Sequence, residues 1–351
     1  MKRSTLLQLW IVGLLSFPVI LSAREEPRIE FLGIQEGRRA IVDETVEPYF
    51  SLLHPLEMSV KTGQPITGDT IESQREEAKR RYQNSVLEFT PQEQAAIRDC
   101  ATRVHELLAE DFPRFTRQPW KFIKVASNIE GGLPHTRGDM IVISDRLVGI
   151  MLQTHTTSPE NARAGFGPLL VHEQMHVVQR LHPGMFLPLY TEVWGFEKVD
   201  KIDLPDSIRR RIIVNPDGVD IGWVYPIREG DQTVRTITPL LLFEEEATAP
   251  RMPRDFREVA VELVKTEAGY TAVDPPVVRP LEGFPGYLPG LHRHISGNLY
   301  HPNEAAADAF AKVFTVHGMP RGEDWNRANV ELKQGMGPTI DWFRDAFGAL
   351  E

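Results

Sequence analysis

Apolar residues recur along the chain at two different periods, and the alternation between them predicts a mixed α+β protein. Ser73 and Glu76 form a capping-box pair that opens a charged helix with Tyr82, Val86 and Leu87 turned inward. Thr90, Pro91 and Glu93 open a second helix, in which Ile97, Cys100, Ala101, Val104, Leu107 and Leu108 share one face as far as Asp111. Residues 122–126 and Met140–Ser144 read as strands on either side of a turn region holding Gly131, Gly132 and Pro134. Residues 168–178 are apolar nearly all round and predict a buried helix, stopped by His182, Pro183 and Gly184. From 208 to 273 the signature turns to β, with strands at 212–214, 219–225, 233–243 and 259–264 and turns at 215–218 and 229–231. Residues 274–290 hold five Pro and three Gly and must be a loop, with Phe284 and Tyr287 as apolar contacts in a cleft wall. Helical spacing returns from Pro302 to about Phe314 and again over 338–347, where Ile340, Trp342, Phe343 and Phe347 form a stripe.

The polar residues of the buried helix are the exception that needs a cause. His172, Glu173, Gln174, Met175 and His176 spell HExxH among Leu169, Leu170, Val171, Val177 and Val178. His172 and His176 are four apart, so they stand one above the other on one helix face and can hold a single zinc ion. Glu173 is then free to reach a water beside the metal as a general base. Left unpaired in a core, each of these groups would cost roughly 1–3 kcal/mol. A pair of hydrogen-bonded core histidines is the plainer alternative.

A catalytic zinc takes three protein ligands and keeps one position open. Glu304 is the best-placed third ligand, in the first turn of the helix that begins at Pro302. Asp308 lies one turn further on the same face, where a carboxylate can accept the outer N–H of a ligand histidine. Ala305, Ala306, Ala307, Ala309 and Ala311 make this helix slim enough to approach the first closely. Glu197, followed by Asp200, and Glu192 are rivals nearer in sequence.

HEQMH followed far downstream by NEAAAD resembles the gluzincin zinc metallopeptidases, the thermolysin-like superfamily. The resemblance implies a zincin-like fold, in which the active-site helix packs behind a small sheet, here with a β-rich insert at about 205–274 between the ligand helices. It implies His172, His176 and Glu304 as zinc ligands, Glu173 as general base and Asp308 as partner of a ligand histidine. It also implies an edge strand before the motif helix that takes substrate in extended form, which makes Asp139, Met140, Ile141 and Val142 the expected substrate strand. Members of the superfamily add a His or Tyr that steadies the oxyanion; His294, Tyr300, His301 and His317 are the candidates. Only the two short stretches match, and 128 residues separate His176 from Glu304, so no subfamily follows.

Charge and leader narrow the setting. Lys2 and Arg3 precede an apolar run from Leu6 to Leu21, and Ser22 and Ala23 could end a signal peptide over residues 1–23; an uncleaved membrane anchor through residues 6–22 is the alternative. Its removal takes the formal charge from -10 to -12. Phosphate backbones are bound by clustered Lys and Arg, and the cluster Lys79, Arg80 and Arg81 follows Glu76 and Glu77, which argues against nucleic acid as a partner. Cys100 is the only cysteine, so no intramolecular disulfide is possible. Residues 24–89 read as an extended arm or propeptide-like segment, and 90–351 as the catalytic domain. Glu244, Glu245 and Glu246 read as a solvated edge. The expectation is an exported zinc metallopeptidase acting on a peptide or protein; a zinc-stabilised binding protein and a zinc hydrolase of another ester or amide are the alternatives.

Overall fold

The computed structural model describes residues 26–244, 250–284, 286–295 and 297–349. The expected signal peptide or anchor over 1–23, together with Glu245 and Glu246, lies outside the described residues. The first sheet contains β1 (Ile29–Phe31), β2 (Val86–Leu87), β3 (Trp120–Val125), β4 (His135–Arg137) and β5 (Met140–Ser144). β3 lies at its centre, parallel to β1 and β5 and antiparallel to β2, while β4 closes the far side antiparallel to β5. β5 has no polar alternation because both of its faces are covered. Ile141 and Ile143 join Phe122 in the main core, with Ile97, Val104, Val171 and Met175 of the helices behind the sheet. Val142 joins Ile123 and Val125 in a second core on the opposite face.

That second core corrects the reading of residues 24–89 as an arm. Leu32, Ile41, Tyr49, Phe50, Leu53, Met58, Ala78, Tyr82 and Val86 supply most of it, and β1 and β2 are strands of the central sheet. Most charges in this segment sit on the outward faces of helices Ile34–Ala40 and Ile71–Ser85, which hid its apolar stripe, while Glu57 and Lys61 of helix Pro55–Thr62 are buried. The last of these starts one turn before the predicted cap, with Thr70 and Ser73 as the reciprocal pair. Lys61 anchors the segment from within. Its buried ammonium donates to Tyr49 Oη at 2.7 Å, Glu130 Oε2 at 3.0 Å and the Val214 carbonyl at 2.8 Å.

The β-rich insert is a seven-stranded sheet and is longer than expected, running from β6 (Glu197–Lys198) and β7 (Ile202–Asp203) through β8 (Trp223–Glu229), β9 (Gln232–Phe243), β10 (Phe256–Thr266) and β11 (Gly269–Ala272) to β12 (Val278–Pro280). Its backbone is the antiparallel β9–β10 pair, from Phe243↔Phe256 to Thr236↔Leu263. Residues 212–214 make only a single bridge to Leu242. One face of the insert has its own core around Leu240, Leu242, Val259 and Val261, while Trp223, Tyr225, Ile237 and Ala260 enter the main core. Among the described residues no helix is long and apolar enough to cross a membrane.

Removing one partner of a buried ion pair strands the other charge and costs about 3–5 kcal/mol. Lys61→Met is therefore expected to lower unfolding stability by that order in urea titrations. An unchanged midpoint would show that the N-terminal segment is not anchored through this lysine.

Candidate functional site

The two signal-bearing helices lie side by side, Pro159–Leu181 carrying the HExxH residues and Pro302–His317 carrying Glu304. Small residues set their separation. A methyl group on Gly167 would stand 2.9 Å from the Phe314 ring, and Ala305, Ala306, Ala307 and Ala309 are all fully buried. Ser158 caps the first helix by accepting from Asn161 N–H, and Gln174 ties it to the sheet by donating to the carbonyls of Gln118 and Pro119. His301 caps the second by accepting from Asn303 N–H.

This packing brings together the three residues expected to be ligands. His172 Nε2 and His176 Nε2 are 3.0 Å apart, and the Glu304 carboxylate lies 3.3 Å from the first and 3.4 Å from the second. Among the described residues these three are the one group of His, Cys, Asp or Glu whose ligand atoms gather within 4.8 Å. The outer ring nitrogens are committed. His172 Nδ1 donates to Asp308 Oδ1 at 2.7 Å, as expected of Asp308. His176 Nδ1 donates to Gln179 Oε1 at 2.8 Å, and that amide is oriented by its Nε2, which donates to the Asn303 carbonyl at 2.9 Å. In the neutral rings both inner nitrogens are thus lone pairs facing a carboxylate, and only a cation, proton or metal, satisfies all three.

The electrostatics express the same need. Burial disfavours charge on His172, but Asp308 and Glu304 outweigh it and raise its pKa well above the usual value. Burial would raise Glu304, yet the two imidazoles hold it well below the usual carboxylate range. Glu173 behaves oppositely: burial first, then the Asp217 charge, pushes it up to about 8. Its Oε2 is buried without a hydrogen-bond partner. A cleft of about 420 Å3 opens over the cluster, lined by His172, Glu173, Glu304 and Asp308 together with Tyr300 and His135.

Of the four oxyanion candidates only Tyr300 reaches this cleft. Its hydroxyl accepts from Asn215 Nδ2 at 2.6 Å, and the same amide donates to Glu304 Oε1. His301 is behind the cluster, with Nδ1 used by the helix cap and Nε2 donating to the Asp220 carbonyl at 2.9 Å. His294 sits over Gly335 of the C-terminal helix, and His317 pairs with Asp111 at 3.4 Å. The rival acids Glu192, Glu197 and Asp200 are exposed, and Glu197 accepts from Tyr270 Oη. Phe284 and Tyr287 are core residues rather than cleft walls.

The edge strand is not the one expected. Met140, Ile141 and Val142 lie on β5, between β3 and β4, and Asp139 is in the turn leading into it; the edge is β4, His135–Arg137. A three-residue strand that includes His135 and Arg137 carries too little pattern to be recognised. The outward amide of β4, Thr136 N–H, donates to Asp217 Oδ1 at 2.8 Å. Asn215 and Asp217 belong to the predicted 215–218 turn, whose place at the site has no local sequence signal. Gln179 could have been found, since it lies three residues after His176 and so on the same face.

No protein-family model, curated protein or solved structure matches the chain. The turn that carries Asn215 is fitted closely against the cap of the Glu304 helix: a Cβ on Gly218 would be 2.5 Å from His301 Nδ1. Gly218→Ala should therefore cost about 1–3 kcal/mol by overpacking. A thermal or urea midpoint equal to that of the parent would mean that His301 has room to retreat.

Proposed function

We propose that this protein is a zinc-dependent hydrolase of zincin type, related in its chemistry to the gluzincins, and that it acts as a metallopeptidase outside the cytoplasm. The observation that carries the reading is the convergence of His172, His176 and Glu304 from two helices, with Glu173 beside them and one of its oxygens unpaired. The donor set fits zinc, which accepts imidazole nitrogen and carboxylate oxygen together. His172, His176 and Glu304 would hold the ion, while Asp308 and Gln179 fix the two rings. When bound, zinc supplies Lewis-acid polarisation of a carbonyl and makes a water acidic enough to lose its proton near neutral pH.

The remaining steps belong to side chains. Glu173 takes the proton of the attacking water on its free carboxylate oxygen and delivers it to the leaving nitrogen. Tyr300 accepts from Asn215 and so keeps its own O–H available to donate to the oxyanion. Its pKa is raised well above the usual value, by burial first and then by Glu304, which keeps that proton in place. The placing of the motif helix against β4 and β5, with an antiparallel edge strand beside the cleft, supports the zincin reading. The basic and apolar leader supports export. A non-catalytic zinc site would close all four positions with protein side chains, and only three gather among the described residues.

Glu173→Gln should lower peptide hydrolysis by about a hundred- to ten-thousand-fold while zinc content stays at that of the parent. His172→Ala and Glu304→Ala should instead lose the metal, measured as a zinc-to-protein ratio. Full turnover in the Glu173 variant would refute the mechanism, and full zinc in the Glu304 variant would refute the ligand set. Tyr300→Phe is expected to reduce kcat by about a hundredfold or more with zinc retained. An unaltered kcat would remove Tyr300 from the reaction.

A further inference from the structure

Six carboxylates line the cleft: Glu130, Glu173, Asp217, Glu258, Glu304 and Asp308. The one lysine among the lining residues, Lys61, is paired with Glu130 at 3.0 Å. Counting one charge for Lys61 and two for a divalent ion on the cluster, the lining carboxylates exceed the lining cations by three. Apolar walls at Leu133, Ile213 and Phe256 keep the local dielectric low, and a confined space of this kind concentrates the potential.

Two groups in this cleft are incompletely answered, one in charge and one in hydrogen bonding. Glu258 accepts from Asn298 N–H at 2.6 Å and Leu299 N–H at 3.0 Å, and no cation among the described residues pairs with it. Burial raises its pKa, with Glu304 and Asp308 adding to the shift. His135, on the edge strand, is only 2% exposed. Its Nδ1 donates to the Leu133 carbonyl at 3.3 Å, so Nε2 is a buried lone pair, and it has no hydrogen-bond partner. Burial lowers the His135 pKa, which keeps the ring neutral and an acceptor. An acidic ligand would add to the surplus, and a neutral one, although it could donate to His135, would leave the Glu258 charge without a counter-ion.

We propose that the cleft selects substrates bearing a cationic group, an alkylammonium or a guanidinium, whose N–H donors satisfy His135 Nε2 and whose charge offsets the surplus of carboxylates. The inference rests on the hydrolase reading for what is cut, but its test is of binding. The Glu173→Gln variant, loaded with zinc, is titrated with fluorescent N-acetylated, C-amidated hexapeptides that differ at one position: lysine, norleucine or glutamate. A fourth peptide has norleucine at that position and a free amino terminus.

The lysine peptide should bind about tenfold or more tightly than its norleucine counterpart at low salt, with glutamate weakest and the difference shrinking as salt is added. His135→Phe and Glu258→Gln, each added to Glu173→Gln, should reduce the lysine preference severalfold, read as the ratio of lysine-peptide to norleucine-peptide affinity. Tight binding of the free-amino peptide would support the same site and assign the cation to a chain terminus; preference confined to lysine would assign it to a side chain. Equal affinity for lysine, norleucine and glutamate, or no measurable binding of the lysine peptide, would overturn the proposal. Retained lysine preference in binding, with no cleavage of any peptide by the parent protein, would support this inference and sink the peptidase reading alone.

Discussion

Two outward hydrogen bonds determine the character of the site. Because His172 gives its Nδ1 proton to Asp308 and His176 gives its own to Gln179, the inward nitrogens face each other and Glu304 as electron-rich atoms. At separations of 3.0–3.4 Å within a buried cluster, that repulsion is poorly screened. The raised imidazole pKa values and the depressed Glu304 pKa follow from the same proximity, since protons are one way to supply the missing positive charge. A divalent ion would be the other, and on the reading proposed above it would sit beside Glu173, whose Oε2 has no hydrogen-bond partner.

Holding such a cluster together requires that its two helices cannot drift apart. Gly167 against Phe314 and the run of buried alanines permit the approach, and the insert then locks it. Asn215 gives both amide hydrogens to the site, to Tyr300 and Glu304, while its carbonyl oxygen accepts from Asp217 N–H at 3.0 Å. Asn303 donates to the Asp217 carbonyl at 2.9 Å and so fastens the turn to the first turn of the Glu304 helix. The β-rich segment between the two helices is therefore part of the site, because it carries the turn that reaches Tyr300 and Glu304.

What was legible beforehand followed from short-range geometry. Positions four apart on a helix share a face, so His172 with His176 and Glu304 with Asp308 could be paired without knowing the fold. The uninterrupted apolar run of Met140–Ser144 and the long strand ending at Phe243 were equally plain. Where function depended on distant contact, the sequence was silent. Asn215 looks like any turn residue, and Phe284 and Tyr287 look like exposed apolar groups in a Pro-rich loop, although both are core. The N-terminal residues misled for a different reason. Their charge density suggested a solvated arm, but Glu57, Lys61 and Glu130 are buried and answer one another, so charge there marks an internal network.

The corrected position of the edge strand changes how an extended chain can lie in the cleft. β4 has three residues, and its outward amide at Thr136 already donates to Asp217. Arg180 holds that arrangement from the motif helix, donating to Thr136 Oγ1 and to the Pro216 carbonyl. A strand added along β4 would meet the 215–218 turn at Thr136 and would have to leave the sheet edge there. The free part of the edge is then the His135 side, where the cleft is lined by Leu133, Pro134 and the unpaired imidazole nitrogen. On the hydrolase reading proposed above, selection would rest on side-chain chemistry, because a strand edge with so few open backbone groups contributes little pairing of its own.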